Sequence, residues 1–336
     1  MRFGMFIPQG WRLDLTETEP AGQWAAMKSL LAMADANSAW ESVWVYDHFH
    51  TVPAPTDQAT HEAWTLMAAF AAASGRVRLG QMCTCMAYRE PTYLAKVAAT
   101  VDVISGGRAE MGIGAGWYEH EWRAYGYGFP RAGERLAMLD EGVQIMASMW
   151  RTGTSGRFEG KHYDVDGALC HPQPLQAVAV DGAEVPSIPL WIAGGGEKKT
   201  LLTAAKYAQY TNFDGSPAGF AHKSAVLKAH CQDVGRDFAE ITRSSNYNVV
   251  IGTPAEQEAR LRDLQRVFER HVPDRAESAM VEWRDNSLRG TASEIVERLA
   301  AMKDLGMTYA ITYFPRATED HEQAEQFAAE VIPALQ

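Results

Sequence analysis

The chain has 336 residues, of which 46% are hydrophobic, ten tryptophans, and a net charge of −11. No block of like charge stands out, which argues against a nucleic acid or an anionic membrane as partner, since clustered Lys and Arg hold both. Its four cysteines, Cys83, Cys85, Cys170 and Cys231, form no C-x-x-C pair, so the expectation is a reduced, cytoplasmic chain with neither a disulfide framework nor a metal knuckle.

A strand-like run begins at once, at Phe3–Ile7, so no signal peptide is expected. The longest apolar stretch, residues 66–73, is too short to span a bilayer. Residues 19–38 then show helical spacing, with Trp24, Met27, Leu30, Leu31 and Ala34 on one side. A second strand at 42–46 ends in Asp47-His48-Phe49-His50, and a Pro-rich loop leads to a helix at 62–73. A third strand is read at 77–83, a helix with Pro in its first turn at 91–104, and a fourth strand at 109–113.

Gly112, Gly114 and Gly116 follow one another at alternate positions there. The pattern is G-x-G-x-G rather than G-x-G-x-x-G and lies far from the first strand, so it is a weak dinucleotide signal. Glycines in this place serve either close packing or the close approach of a flat ligand.

The second half keeps the rhythm. A helix at 133–149 precedes a hairpin at 156–165, turning at Glu159-Gly160, and a loop-like segment at 177–187. A strand at 189–193 runs into Gly194-Gly195-Gly196 and a helix from Glu197. Further strands are read at 210–213, 247–251 and 307–313, with helices at 254–271, 291–305 and 318–334. Strands alternating with helices in this way predict an α/β chain of the TIM (β/α)8 barrel class, one domain over 1–336 with insertions at about 151–188 and 217–236. An open doubly wound sheet is the alternative.

In a barrel the chemistry lies at the carboxyl ends of the strands. Those ends are rich in Gly, aromatics and amides, hold one Asp-His pair, and carry no H-E-x-x-H cluster or serine elbow, so no metal site is expected. A wide pocket with few charges suits a flat, mostly apolar ring.

Taken together, Val43-Trp-Val-Tyr-Asp-His-Phe49, Arg78-Leu-Gly80, residues 98–108, Gly112–Glu119 and Ile192-Ala-Gly-Gly-Gly196 resemble the bacterial luciferase-like superfamily, within it the branch that uses the deazaflavin coenzyme F420. The resemblance runs from Phe3 to about Leu335. It implies a luciferase-like barrel with insertions, binding F420 or FMN at the carboxyl ends of its strands, and working as a homodimer. By the same resemblance Asp47 lies beside the cofactor ring and His48 beside the reacting carbon of the substrate. A neutral imidazole there can give or take the proton that accompanies a hydride.

Met82-Cys83 match a bulge that in the family often contains a non-proline cis peptide and buttresses the ring. Gly194, Gly195 and Gly196 match the loop at which cofactor phosphate binds, where Lys198 or Lys199 could add charge. Ala115, Gly116, Trp117, His120 and Ala193 complete the expected cofactor contacts, and His48, Trp64, Trp117 and Asn212 the expected substrate pocket. Where the branch's sugar-phosphate dehydrogenases carry a catalytic Glu, this chain has Trp117, which turns the expectation toward an apolar or aromatic substrate. From the residues alone, Glu119 and Glu121 read as a solvated helix face and Met82-Cys83 as core. The expected activity is hydride transfer between C5 of F420 and a small apolar or unsaturated compound. The competing expectations are an FMN-dependent monooxygenase served by a separate flavin reductase, and a cofactor-binding barrel without catalysis.

Overall fold

The computed structural model describes residues 1–180 and 182–336. The chain opens with β1 (Arg2–Phe6), α1 (Pro20–Ala36), β2 (Ser42–Val45) and α2 (Ala63–Ala73). Pro20 opens α1, where a missing N–H costs nothing, and Met27, Leu30, Leu31 and Ala34 form its buried stripe. The expected third strand is broken in two, β3 (Arg78–Gln81) and β4 (Thr84–Cys85), with the cis Met82–Cys83 peptide between them. Next come α3 (Pro91–Ser105), β5 (Ala109–Gly114), α4 (Glu119–Ala124) and α5 (Ala132–Thr152).

After α5 the chain forms two antiparallel hairpins: β6 (Arg157–Glu159) with β7 (Asp164–Asp166), and β8 (Ala177–Val180) with β9 (Ala183–Pro186). The first is the hairpin read from the alternation at 156–165. Glu141 of α5 secures its turn by accepting from the amides of Lys161, His162 and Tyr163 at 3.0, 2.8 and 3.1 Å. The second replaces the loop expected at 177–187; Ala, Val and Pro there carry little polar alternation, which hid the pairing.

The remainder is β10 (Leu190–Ala193), α6 (Thr200–Tyr207), β11 (Tyr210–Asn212), α7 (Pro217–Val234), β12 (Thr242–Ile251), α8 (Pro254–His271), α9 (Ala276–Asp285), β13 (Leu288–Gly290), α10 (Ala292–Asp304) and β14 (Tyr309–Tyr313). The final helix, α11 (Glu322–Gln326), passes through a π-turn at Phe327–Val331 into α12 (Ile332–Leu335). Both α8 and α10 begin with a capping box, Thr253 with Glu256 and Thr291 with Glu294. Three boundaries differ from the sequence reading: β12 starts five residues before 247, α6 starts at Thr200 rather than Glu197, and the C-terminal helix starts at Glu322 rather than 318. In addition α9 and β13 were not anticipated; their short, mixed sequence has no long period to detect.

The strands fall into two compact units. The first comprises Met1–Ala63, Asp214–Ala221 and Arg243–Gln336. In it β1 pairs in parallel with both β2 and β14, Met5 opposite Val43 and Thr312, and β14 pairs with β12, Tyr313 opposite Asn248. The last residues of β12 turn to β13 instead. A buried polar chain crosses this sheet: Trp44 Nε1 donates to Ser42 Oγ at 2.5 Å, and Ser42 Oγ lies 2.7 Å from the Tyr309 hydroxyl.

The second unit comprises Trp64–Phe213 and His222–Thr242. Here β5 pairs in parallel with β3, β4 and β10, and β10 with β11. The buried Glu110 carboxylate ties strands together, accepting from Trp191 Nε1 at 2.6 Å and pairing with Arg78. Trp191 in turn stacks on Tyr210, 4.1 Å between centroids. With parallel strands throughout and helices between them, the fold is an α/β barrel of the (β/α)8 class.

The run before β5 has a structural purpose. Gly106 ends α3 in the left-handed region at φ 70°, a conformation a side chain disfavours. Arg108 then donates to five acceptors: the carbonyls of Ser105, Val77, Ala71 and Ser74, and the Ser74 hydroxyl. It thereby closes the end of α2 onto the start of β5. Replacing Arg108 by Met leaves those acceptors without their donor, and a loss of about 2–4 kcal/mol is expected. Urea denaturation followed by circular dichroism measures it; a change below about 0.5 kcal/mol would show the clip to be dispensable.

Candidate active site

In the second unit the strand ends interlock through three alternate glycines. A Cβ on Gly112 would lie 1.9 Å from the Gln81 carbonyl oxygen, one on Gly114 2.7 Å from Cys83 Sγ, and one on Gly116 2.4 Å from Cys85 Sγ. Residues 112, 114 and 116 therefore run against residues 81, 83 and 85, two by two, and only hydrogen fits at each step. The glycine repeat is the counterpart of the broken third strand. Its first duty is to seat the bulge that carries the cis Met82–Cys83 peptide. The next strand joins the same surface, since the Gly114 position is 3.4 Å from the Ala193 carbonyl oxygen. Met82, Cys83, Gly116 and Ala193 are thus brought together, as the sequence reading placed them, with Ala115 between Gly114 and Gly116.

Beyond β10 the Gly194 amide donates to the Asn212 carbonyl at 2.9 Å, holding the turn to the end of β11. The amides of Gly195 and Gly196 donate to no protein acceptor among the described residues. The charge expected beside them comes from elsewhere. Lys199 reaches away to the Gly133 carbonyl at 3.0 Å, and Lys198 is exposed. The cation that approaches is Lys223 of α7, whose Cε lies 3.2 Å from a Cβ position on Gly195. Lys223 Nζ donates to Glu197 at 2.6 Å, and His222 lies 2.9 Å from the same oxygen. These two bonds hold the Glu197 carboxyl below its usual value, that to Lys223 first. Lys223 escaped notice because α7 reads as a surface insertion.

After the glycines the picture changes. Trp117 is 61% exposed and stacks on Tyr118, ring centroids 5.2 Å apart, and His120 is also exposed. Glu121, read as solvated, is fully buried and accepts from the Tyr88 hydroxyl at 3.1 Å. Its neighbour Trp122 is the anchor of this short helix, and six residues are too few to reveal which face is inside. Burial, with Glu121 nearby, pushes the Tyr118 phenol up to about 12. Trp64 lies buried at the start of α2 and Asn212 at the end of β11.

In the first unit the strand ends present a different chemistry. Asp47 follows β2 and is buried; His48 comes next, and its ring lies parallel to Trp11 at 4.2 Å, 1° between planes. Trp11 also packs on Tyr46 at 4.1 Å, and Tyr46 stacks on Phe6 at 4.1 Å. Gln9 fixes the loop: its side-chain oxygen accepts from the Tyr46 amide at 2.6 Å and its amide group donates to the His61 carbonyl at 2.7 Å. The imidazole is therefore held flat against an aromatic wall. Gln9 and Trp11 were not singled out as site residues, though their place just after the first strand was the available signal.

Asp14 completes this wall. Its carboxylate accepts from the Gly10 amide and the Tyr313 hydroxyl, both at 2.6 Å, and its burial raises its carboxyl above the ordinary value of 3.8 despite those bonds. Because the fold holds this proton to higher pH than the unfolded chain does, the group favours folding at low pH. That advantage is lost as pH rises through the raised value. Relative to an Asp14→Asn variant, wild-type stability is expected to fall as pH rises above about 4, through the raised value. Guanidinium denaturation across that range checks it; a constant difference would contradict the burial argument. A second check concerns the glycines. Gly112→Ala is expected to cost about 2–4 kcal/mol by displacing the Gln81 carbonyl, read as a lowered denaturation midpoint.

The family described as luciferase-like monooxygenase matches residues 1–309. Among curated proteins, the pyrimidine monooxygenase RutA of Enterobacter cloacae is 26% identical over 248 residues, covering 70% of this chain and 64% of that protein. RutA of Bradyrhizobium sp. BTAi1 is 35% identical over 151 residues, 44% of this chain and 38% of that protein. The chain thus spans between about two fifths and just under two thirds of these relatives. Among solved structures, an F420-dependent secondary alcohol dehydrogenase with an F420–acetone adduct superposes with a TM-score of 0.78 at 18% identity, covering 100% of this chain and 99% of that one. Monooxygenase RslO1 of Streptomyces bottropensis gives 0.75 at 18% identity, covering 99% of each chain. With the barrel fold shared along its whole length and the family match extending over nearly all of it, the chain belongs to the luciferase-like monooxygenase family.

Proposed function

We propose that the chain is an F420-dependent oxidoreductase that transfers a hydride between C5 of the deazaflavin and a small unsaturated or carbonyl compound. The observation that carries this reading is His48, held parallel to Trp11 beside the buried Asp47 at the end of β2. Reduction of a carbonyl or an activated double bond by hydride requires a proton as well, and an imidazole fixed in this way supplies it. The shared fold of the F420-dependent alcohol dehydrogenase is consistent with it.

The residues fit a flat cofactor with a phosphate-bearing tail. Gly114 and Gly116 leave backbone where side chains would stand, and two amides at Gly195 and Gly196 lack protein acceptors. When bound, the deazaflavin supplies the site that gives or accepts the hydride. The Gly195 and Gly196 amides would donate to phosphate oxygens ahead of α6, with Lys223 adding positive charge. Met82 and Cys83 would support the ring from below, with Ala115, Gly116 and Ala193 lining its edge. By the family resemblance Asp47 would orient the ring edge, His48 would hold the proton at an imidazole nitrogen, and Asn212, Trp64 and Trp117 would meet the substrate. Trp117, exposed as it is, would serve at the rim.

A second reading is an FMN-dependent monooxygenase working with a separate reductase, favoured by the RutA relatives. Fluorescence titration separates the two. Micromolar binding of F420 with much weaker binding of FMN is expected; tight FMN binding with none of F420 would replace the first reading by the second. His48→Ala is expected to lower turnover of an unsaturated ketone by about 100-fold or more while leaving F420 affinity unchanged. Full turnover in that variant would remove His48 from the chemistry.

A further inference from the structure

One cation at the strand ends of the first unit is walled by rings. The guanidinium carbon of Arg12 lies 4.7 Å from the Tyr313 ring centroid, 5.1 Å from Trp11, 5.5 Å from Tyr46 and 6.0 Å from Trp283. These rings come from the loop after β1, the end of β2, the end of β14 and helix α9. All four are buried, while Arg12 itself is only partly so.

Its hydrogen bonding is incomplete. Nη1 donates to Asn248 Oδ1 at 2.7 Å, and the buried Nε–H has no acceptor. No carboxylate lies within ion-pair distance of Arg12 among the described residues, and the buried Asp14 and the Tyr46 hydroxyl both interact with its charge. The nearest in sequence, Asp14, is already engaged by the Gly10 amide and the Tyr313 hydroxyl. The contrast with Arg108, whose guanidinium meets five protein acceptors, is plain. Arg12 keeps a buried donor that no protein acceptor meets. A planar guanidinium with aromatic walls suits a planar anion, because the fork bonds two oxygens while the walls accept a flat ring.

We propose that Arg12 is the specificity-determining residue of the substrate site and that it takes the carboxylate of a small planar substrate, aromatic or conjugated. This rests on the reading that the strand ends around His48 receive the substrate. Trp11 links the two residues: it faces the Arg12 guanidinium and stacks on His48. The substrate class narrows accordingly, from any apolar unsaturated compound to one that carries an acid group at one end.

The test uses benzoate as probe and benzamide as its uncharged counterpart, titrated into the full chain with and without saturating cofactor and read by tryptophan fluorescence. Benzoate is expected to bind roughly 10- to 100-fold more tightly than benzamide, the range of a charge-assisted pair. Arg12→Met should abolish the preference, and Arg12→Lys, which keeps the charge but loses the fork, should restore part of it. Asn248→Ala, which leaves the cation in place but releases Nη1, should weaken benzoate without affecting benzamide, and keeps the test decisive if Arg12→Met does not fold. Equal binding of the two probes, no binding of either, or a preference that survives both the Met and the Ala variants overturns the proposal. The cofactor reading is judged separately: benzoate preference without F420 binding sinks that reading alone, and F420 binding without benzoate preference sinks this one alone.

Discussion

The second unit depends on the fit of three missing side chains. Gly112, Gly114 and Gly116 meet the Gln81 carbonyl, Cys83 Sγ and Cys85 Sγ in turn, at distances no Cβ tolerates. This contact decides where the third strand breaks, lets the cis Met82–Cys83 peptide lie against β5, and brings the Ala193 carbonyl alongside. The glycines therefore serve packing: the space each side chain would take is filled by the Gln81 carbonyl and two cysteine sulfurs.

The first unit solves a different problem. Its strand ends hold ionisable groups fixed among aromatic rings. Stacked rings do this: Phe6 on Tyr46, Tyr46 on Trp11, Trp11 on His48. Rigid aromatic neighbours lose little entropy on ordering, and burial pushes the Tyr46 phenol up to about 12 and Tyr313 well above its ordinary value. Within this wall the His48 ring lies parallel to Trp11, 4.2 Å between centroids. The division of labour follows from composition: backbone and glycine in one unit, aromatics and ionisable groups in the other.

Much of this was legible in the amino-acid order. Alternating strand and helix patterns placed Asp47, His48, Gly194–Gly196 and Asn212 at strand ends, because strand ends follow from local periodicity alone. The purpose of the glycine repeat was not legible, since it depends on the register between residues 81–85 and 112–116, which are paired only in space. Arg12 was hidden for the same reason: its partners Asn248, Trp283 and Tyr313 lie more than 230 residues away along the chain. Glu121 was misread because a carboxylate usually faces water, and the tyrosine that satisfies it is on a distant turn. Lys223 lay on a helix whose pattern showed no link to the Gly194–Gly196 turn. Where function required a tertiary juxtaposition, local pattern carried no trace of it.

The central claim is that hydride, and not activated oxygen, passes to the substrate with His48 as proton partner. The most direct measurement is anaerobic single turnover with F420 reduced and deuterated at C5, offered to unsaturated ketones and conjugated acids, with the products examined by mass spectrometry. The account predicts one deuterium in the product without oxygen, and its loss in His48→Ala. Product that forms only with oxygen and reduced FMN, containing an added oxygen atom and no deuterium, would contradict it.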